Sequence, residues 1–242
     1  MKFWYLDHSA VAVQTDRHLL LFDLFGDVLN PQEGEGLDQG KVLPQQIAQE
    51  DVLVFVSHEH QDHFDPKVFA LDSLPRVRFV LPEELDVLYE KGIFAANNQT
   101  ITLADATITT FESTDIGLGY LVEIDGKLIY HAGDLNWWHW QGEEDEFNLD
   151  QEKRYLQQMQ YLQKAVGDRV IDLAFVPVDP RLEEDCLRGI CAFSQAVKAD
   201  KIVPIHFWGD FSVCQKVKQA PQAAAFADHV VTLHRCGESF IL

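Results

Sequence analysis

Residues 51–63 read DVLVFVSHEHQDH: an unbroken apolar run from Val52 to Val56, then Ser57, then His58-x-His60-x-Asp62-His63. An apolar run of this length without alternation is the pattern of a strand buried on both faces. Imidazoles and a carboxylate projecting from a tight turn at the end of such a strand can converge on one point, as a metal ion requires. His58 and His60, two apart, share a direction, whereas Asp62 and His63 turn the other way, which suits a second ion nearby. The chain is thus constrained to a buried sheet with one strand end given over to ligands.

Around this strand the first half is dominated by short β-type runs, among them KFWYLDH, SAVAVQT, HLLLFDLF, RVRFVLP, ATITTFES, GYLVEID and KLIYHAGD. The Asp125-Gly126 pair between the last two is a strong hairpin signal. LAFVPVD, KIVPIHF, VVTLH and SFIL add strands to the second half. Helices are predicted over 82–91, opening at Pro82 and closing before Gly92, and over 150–166. The second has Tyr155, Met159, Leu162 and Val166 on one face and Gly167 as its stop. FSQAVKAD and parts of 214–228 read as shorter helices, 31–41 as a long exposed loop, and 143–146 as a solvated lead-in to a helix. With no repeat and no low-complexity linker, residues 1–242 read as a single domain of mixed α and β.

Composition narrows the function classes. A formal net charge of -20 disfavours nucleic acid, whose phosphates need Lys and Arg. No apolar stretch approaches the roughly 20 residues needed to span a bilayer. The opening MKFWYLDHSAVAV is broken by Asp7 and His8 and reads as a first strand, not a secretory signal. Cys186, Cys191, Cys214 and Cys236 lack CxxC spacing and read as reduced thiols of a cytoplasmic protein. The partners expected are a small-molecule substrate and, at most, further copies of the chain in a homo-oligomer.

The HxHxDH stretch resembles the hallmark of the metallo-β-lactamase-fold hydrolases. YLDHSAVAVQTDRHLLLFD resembles the opening of the branch that includes ascorbate-phosphate lactonases. KLIYHAGD and KIVPIHF resemble that branch's strands ending in a bridging aspartate, here Asp134, and in a metal histidine, here His206. The resemblance implies an α+β fold, a four-layer αββα sandwich, with one or two divalent ions, Zn or Mn, with Fe a further candidate. It implies His58 and His60 on the first ion, Asp62, His63 and His206 on the second, and Asp134 between them. His131 and His8 are read as supporting or packing residues.

Members of this family usually supply one more histidine before the hairpin leading to the bridging aspartate, and TTFESTDIGLGYLVEIDG contains none. Either Asp115 replaces it, giving an oxygen-richer site that favours Mn²⁺ or Fe²⁺, or one ion sits at Asp62, His63, His206 and Asp134 alone. STDIG is equally the signature of an Asx-type turn. After Asp134, Trp137, Trp138 and Trp140 either wall the substrate pocket or anchor their loop, with Trp137 and His139 the substrate-contact candidates. Arg181 either clamps a phosphate or carboxylate or pairs with Asp179 or Glu183.

Divalent ions at such a site lower the pKa of bound water and polarise a scissile bond, with Asp62 or Asp134 orienting the nucleophile. The expected activity is hydrolysis of a small anionic metabolite, a lactone or a phosphate ester. The rivals are a phosphodiesterase or nuclease, a non-catalytic metal-binding sensor or scaffold, and a di-iron oxidoreductase. No GxSxG elbow is present to support a serine nucleophile.

Overall fold

The computed structural model describes residues 1–242. Along the chain run β1 (Lys2–Asp7), β2 (Ala10–Gln14), β3 (His18–Phe22), the single turn α1 (Pro44–Ile47), β4 (Asp51–Phe55), β5 (Val77–Pro82) and β6 (Ile93–Ala95). There follow β7 (Thr100–Thr102), β8 (Ala106–Glu112), β9 (Leu118–Ile124), β10 (Lys127–His131) and α2 (Asp145–Val166). The last elements are β11 (Leu173–Pro177), α3 (Arg188–Ala196), β12 (Ile202–Ile205), α4 (Ser212–Gln219) and β13 (Glu238–Ile241). They form two compact units, Met1–Ala96 with Leu233–Leu242, and Asn97–Thr232.

The first unit is built on a seven-stranded sheet of order β13-β1-β2-β3-β4-β5-β6. Its strands are antiparallel from β13 to β3 and parallel from β3 to β6. The parallel strands are the apolar ones: every residue of β3 is buried, as are the last four of β4. Leu19, Leu21, Val52, Val54 and Leu81 share a core with Val68 and Leu71 of the 3-10 segment Pro66–Ser73. The predicted helix over 82–91 is absent. Only the 3-10 turn Glu83–Leu85 forms there, because Val87 and Leu88 point to solvent and no apolar stripe is buried. Tyr89 does pack, stacking on Phe69 at 4.5 Å between ring centroids.

The second unit carries a six-stranded sheet of order β12-β11-β10-β9-β8-β7. β10, β11 and β12 are parallel and the remaining pairs antiparallel. The Asp125-Gly126 turn joins β9 to β10 with both residues at positive φ, 51° and 70°, as a two-residue hairpin with primed geometry demands. α2 buries Tyr155, Met159, Leu162 and Val166 as the periodicity predicts, and begins at Asp145, earlier than expected. Asp145 and Glu146 fall in its first turn, where the helix dipole favours negative charge. α3 lies upstream of its predicted span, ending where Val197 turns extended ahead of the bridge between Ala199 and Ile171. VVTLH forms no strand, only the single bridge of Val230 to Ile202. No helix is long and apolar enough to cross a membrane.

Candidate metal centre

In the first unit the ligand-bearing turn follows β4 directly. The backbone N–H groups of His63 and Phe64 both donate to the His60 carbonyl, folding the segment back so that His58 and His63 come together with ring centroids 4.3 Å apart. His58 and His60 rings lie 4.6 Å apart. His58 and His63 are fully buried, while His60 and Asp62 are half-buried.

Asp23, at the end of β3, organises this group from beneath. Its Oδ1 accepts the Ser57 backbone N–H at 2.7 Å, and its Oδ2 accepts the Ser57 hydroxyl at 2.8 Å. His63 Nδ1 lies 2.8 Å from the same Oδ2. A carboxylate only accepts, so His63 carries its proton on Nδ1 and offers Nε2 as a lone pair. Ser57 spends its one hydroxyl proton on Asp23, so at 2.9 Å it accepts from His58 Nδ1. One carboxylate therefore sets two imidazoles in the tautomer a metal ligand needs. Asp23 sits at φ 50°, a strained position for a non-glycine residue.

His8, also in the left-handed region at φ 46°, places Nε2 3.5 Å from Asp62 Oδ2 and its ring edge-on to His63. The contact with His8, foremost, holds the Asp62 carboxyl well below the usual carboxylate range against the opposing effect of burial. Ligand atoms of His8, Asp62 and His63 all lie within 4.8 Å of one another, as do those of His58 and His60. His8 Nε2 therefore stands both beside the Asp62 carboxylate and among the donor atoms grouped with His63.

In the second unit the groups stand past the C-terminal ends of the parallel strands. Asp134 follows the Gly133 turn after β10, and His131 packs on Phe175 while its Nδ1 accepts the Gly133 N–H. Asp179 follows β11, and His206 follows β12 at φ 62°. His206 Nδ1 lies 3.0 Å from Asp179 Oδ2, and its Nε2 lies 3.2 Å from Asp134 Oδ1. Asp179 is fully buried; burial pushes its carboxyl up, but the bonds from His206 and Arg181 outweigh this and hold it well below the carboxylate range. With the His206 proton committed to Asp179, the Nε2 lone pair faces a carboxylate oxygen, a contact that requires a shared proton or a cation. Two donors each about 2.0–2.2 Å from one ion stand roughly 3.0–3.4 Å apart at tetrahedral to right angles, and this pair fits.

The remaining sequence candidates have the following neighbours. Arg181 pairs with Asp179 through Nε and Nη2, the second of its predicted alternatives. Trp137 lies against Tyr155 of α2, with the Arg188 guanidinium over its ring. Trp138 is buried, donates Nε1–H to the Asp134 carbonyl at 3.0 Å, and meets the His206 ring edge-on. His139 is half-buried, its Nε2 3.9 Å from Asp185 Oδ2. Asp115 stands exposed on a turn, its N–H bonded to Ser113 Oγ, while Ser113 and Thr114 are buried. Sequence reasoning missed Asp23, Ser57 and the part played by Asp179. The available signal was an acid directly after a buried parallel strand, in HLLLFD as in LAFVPVD.

Comparison with known proteins gives a consistent picture. A family model described as the beta-lactamase superfamily domain matches residues 2–148. The chain is 26% identical over 249 residues to a UPF0173 metal-dependent hydrolase of Bacillus velezensis, covering 93% of this chain and 91% of that one. It is 25% identical over 252 residues to the UPF0173 metal-dependent hydrolase YtkL of Bacillus subtilis, covering 94% and 92%. Among solved structures, Igni18, a metallo hydrolase from the archaeon Ignicoccus hospitalis, aligns with a TM-score of 0.66 at 20% identity over 100% of this chain and 98% of that one. The α+β fold is therefore that of the metallo-hydrolases, and the match over residues 2–148 settles the family: the chain belongs to the β-lactamase superfamily, as one of its metal-dependent hydrolases.

Proposed function

We propose that the chain acts as one catalytic domain that hydrolyses a small anionic metabolite, a lactone or a phosphate ester. Its metal ligands in this reading are His58, His60, Asp62, His63, Asp134 and His206. The observation that carries the reading is the approach of His206 Nε2 to Asp134 Oδ1 with Asp179 already holding the other ring nitrogen, a contact that a shared proton or a bound cation satisfies and that a metal ion fits at this separation. The donor set is imidazole nitrogen and carboxylate oxygen, which suits Zn²⁺, Mn²⁺ or Fe²⁺. When bound, such ions supply Lewis-acid polarisation of the scissile bond and acidify a water molecule.

The chain's own residues do the rest. Asp23 and Asp179 fix the imidazole tautomers, and their burial keeps those orientations from exchanging with water. Asp62, held ionised beside His8, would orient the attacking water by accepting its hydrogen bond. Asp134, its backbone carbonyl tied by Trp138, presents its carboxylate beside His206. The charge of -20 weighs against a nuclease. The substrate class rests on the resemblance to lactonases.

The test is metal analysis by mass spectrometry on protein purified without chelator or His-tag, joined to hydrolysis assays on panels of lactones and phosphate monoesters. Bound ions, with activity on one panel abolished by chelator and restored by Zn²⁺ or Mn²⁺, are expected. A metal-free protein, or one that hydrolyses neither panel when loaded, would sink the reading and leave a sensor or scaffold in its place.

A further inference from the structure

Asp179 collects an unusual number of donors for one buried carboxylate. Oδ1 accepts the Arg181 backbone N–H at 2.8 Å and Arg181 Nε at 3.0 Å. Oδ2 accepts Arg181 Nε at 2.9 Å, Arg181 Nη2 at 2.6 Å and Trp208 Nε1 at 3.2 Å, and it faces His206 Nδ1 at 3.0 Å. The backbone bond belongs to the 3-10 turn Pro180–Asp185, which Asp179 caps, so carboxylate and guanidinium are held only two residues apart.

The guanidinium is itself confined. Its central carbon lies 4.7 Å from the Trp208 ring centre and 5.5 Å from that of Trp140, within cation–π range of both. Trp140 stacks on Trp138, and Trp138 and Trp208 each meet the His206 ring edge-on. Trp208 is kept at φ 53°, and His206 at φ 62°, backbone positions that a side-chain-bearing residue holds only when its surroundings impose them. A half-exposed arginine in this setting is poorly placed as a swinging clamp and well placed as a strut.

We propose that Arg181 is a positioning residue: acting through Asp179, and steadied by Trp140 and Trp208, it fixes the orientation in which His206 presents Nε2 beside Asp134. This rests on the metal reading of His206, yet it can be tested without metal. A planar fork bonding both carboxylate oxygens stops the carboxylate from rotating, so Oδ2 stays on the Nδ1–H of His206. Lysine supplies the charge but not the fork, and methionine supplies neither.

Arg181→Met, Arg181→Lys and wild type would be compared by two measurements. One is exchange of the His206 Nδ1–H with solvent in the metal-free protein, by ¹⁵N-edited NMR. The other is Zn²⁺ affinity by competition with a chromophoric chelator. Expected for methionine is faster exchange, by at least ~10-fold, and an affinity loss of about 10–100-fold, with lysine recovering part of both. Wild-type exchange and affinity in Arg181→Met would overturn the proposal. If methionine lowers the melting temperature enough to obscure the comparison, Arg181→Lys alone decides: wild-type exchange in it would show that the fork is dispensable. A wild type that binds no Zn²⁺ would defeat the metal reading and leave the exchange measurement to judge Arg181.

Discussion

Asp23 Oδ2 stands 2.8 Å from His63 Nδ1, joining residues 40 positions apart on the segments that follow two neighbouring parallel strands. The same carboxylate takes both the backbone N–H and the hydroxyl of Ser57, so its two oxygens are committed to acceptor roles.

Asp23→Asn should therefore be more informative than its alanine counterpart. The asparagine oxygen can keep the Ser57 N–H, which turns its NH₂ toward Ser57 Oγ and His63 Nδ1. That favours the other His63 tautomer, with Nε2 protonated and unable to ligate. Zn²⁺ affinity should fall about 10–100-fold with the metal-free melting temperature little changed. An affinity within twofold of wild type, by chelator competition, would show that Asp23 does not govern the tautomer.

Asp115 separates the two readings of the missing histidine. It is exposed, whereas Asp134 is buried beside His206. Asp115→Ala should keep the wild-type metal content by mass spectrometry, and Asp134→Ala should lose at least one ion per chain. Loss of an ion from Asp115→Ala would put it among the ligands.

Stability at low pH should carry the mark of Asp179. Its carboxyl is held below the ordinary value of 3.8, so its contribution is fully present above that pH and is lost as pH falls toward the lower folded value. Urea unfolding of the metal-free protein between pH 5 and pH 2 should give a steeper loss for wild type than for Asp179→Asn below about pH 4. Parallel curves would contradict the assignment.

Gly237 offers a test of the fold away from the site. Its φ is 73°, and a Cβ there would overlap the Asp38 carbonyl oxygen and meet the Gly40 nitrogen at 2.6 Å. Its N–H donates to the Tyr5 carbonyl at 2.7 Å, just ahead of β13. Gly237→Ala should cost ~2 kcal/mol or more, the left-handed penalty with backbone overlap added. Hydrogen exchange should show β13 loosening first, and a variant as stable as wild type would refute the close approach.

Much of this was legible in the sequence because it is written contiguously. The His58–His63 cluster follows an apolar strand without a gap, and Asp134 and His206 each close an apolar run. Asp23, Ser57 and Asp179 were hidden for the opposite reason. Their importance arises from approaches across 34, 40 and 27 residues that no local pattern records. Residues 82–91 misled because their composition suits a helix, while only Leu85 and Tyr89 find something to pack against. Arg181 could be read locally as a clamp or as a partner of Asp179, and the two tryptophans that confine it lie 41 residues before and 27 after it in the chain.

The pairing of β13 with β1 has a consequence for how the protein is made. The first unit lacks its outer strand until the whole of Asn97–Thr232 has been synthesised. At ~5–20 residues per second that interval is on the order of ten seconds. Throughout it β1 presents an open edge, with Phe3 and Tyr5 still waiting for their cover, to every other nascent chain nearby. Ribosome-bound chains arrested shortly before residue 233 are thus the species from which aggregation, or recruitment of a chaperone, would begin.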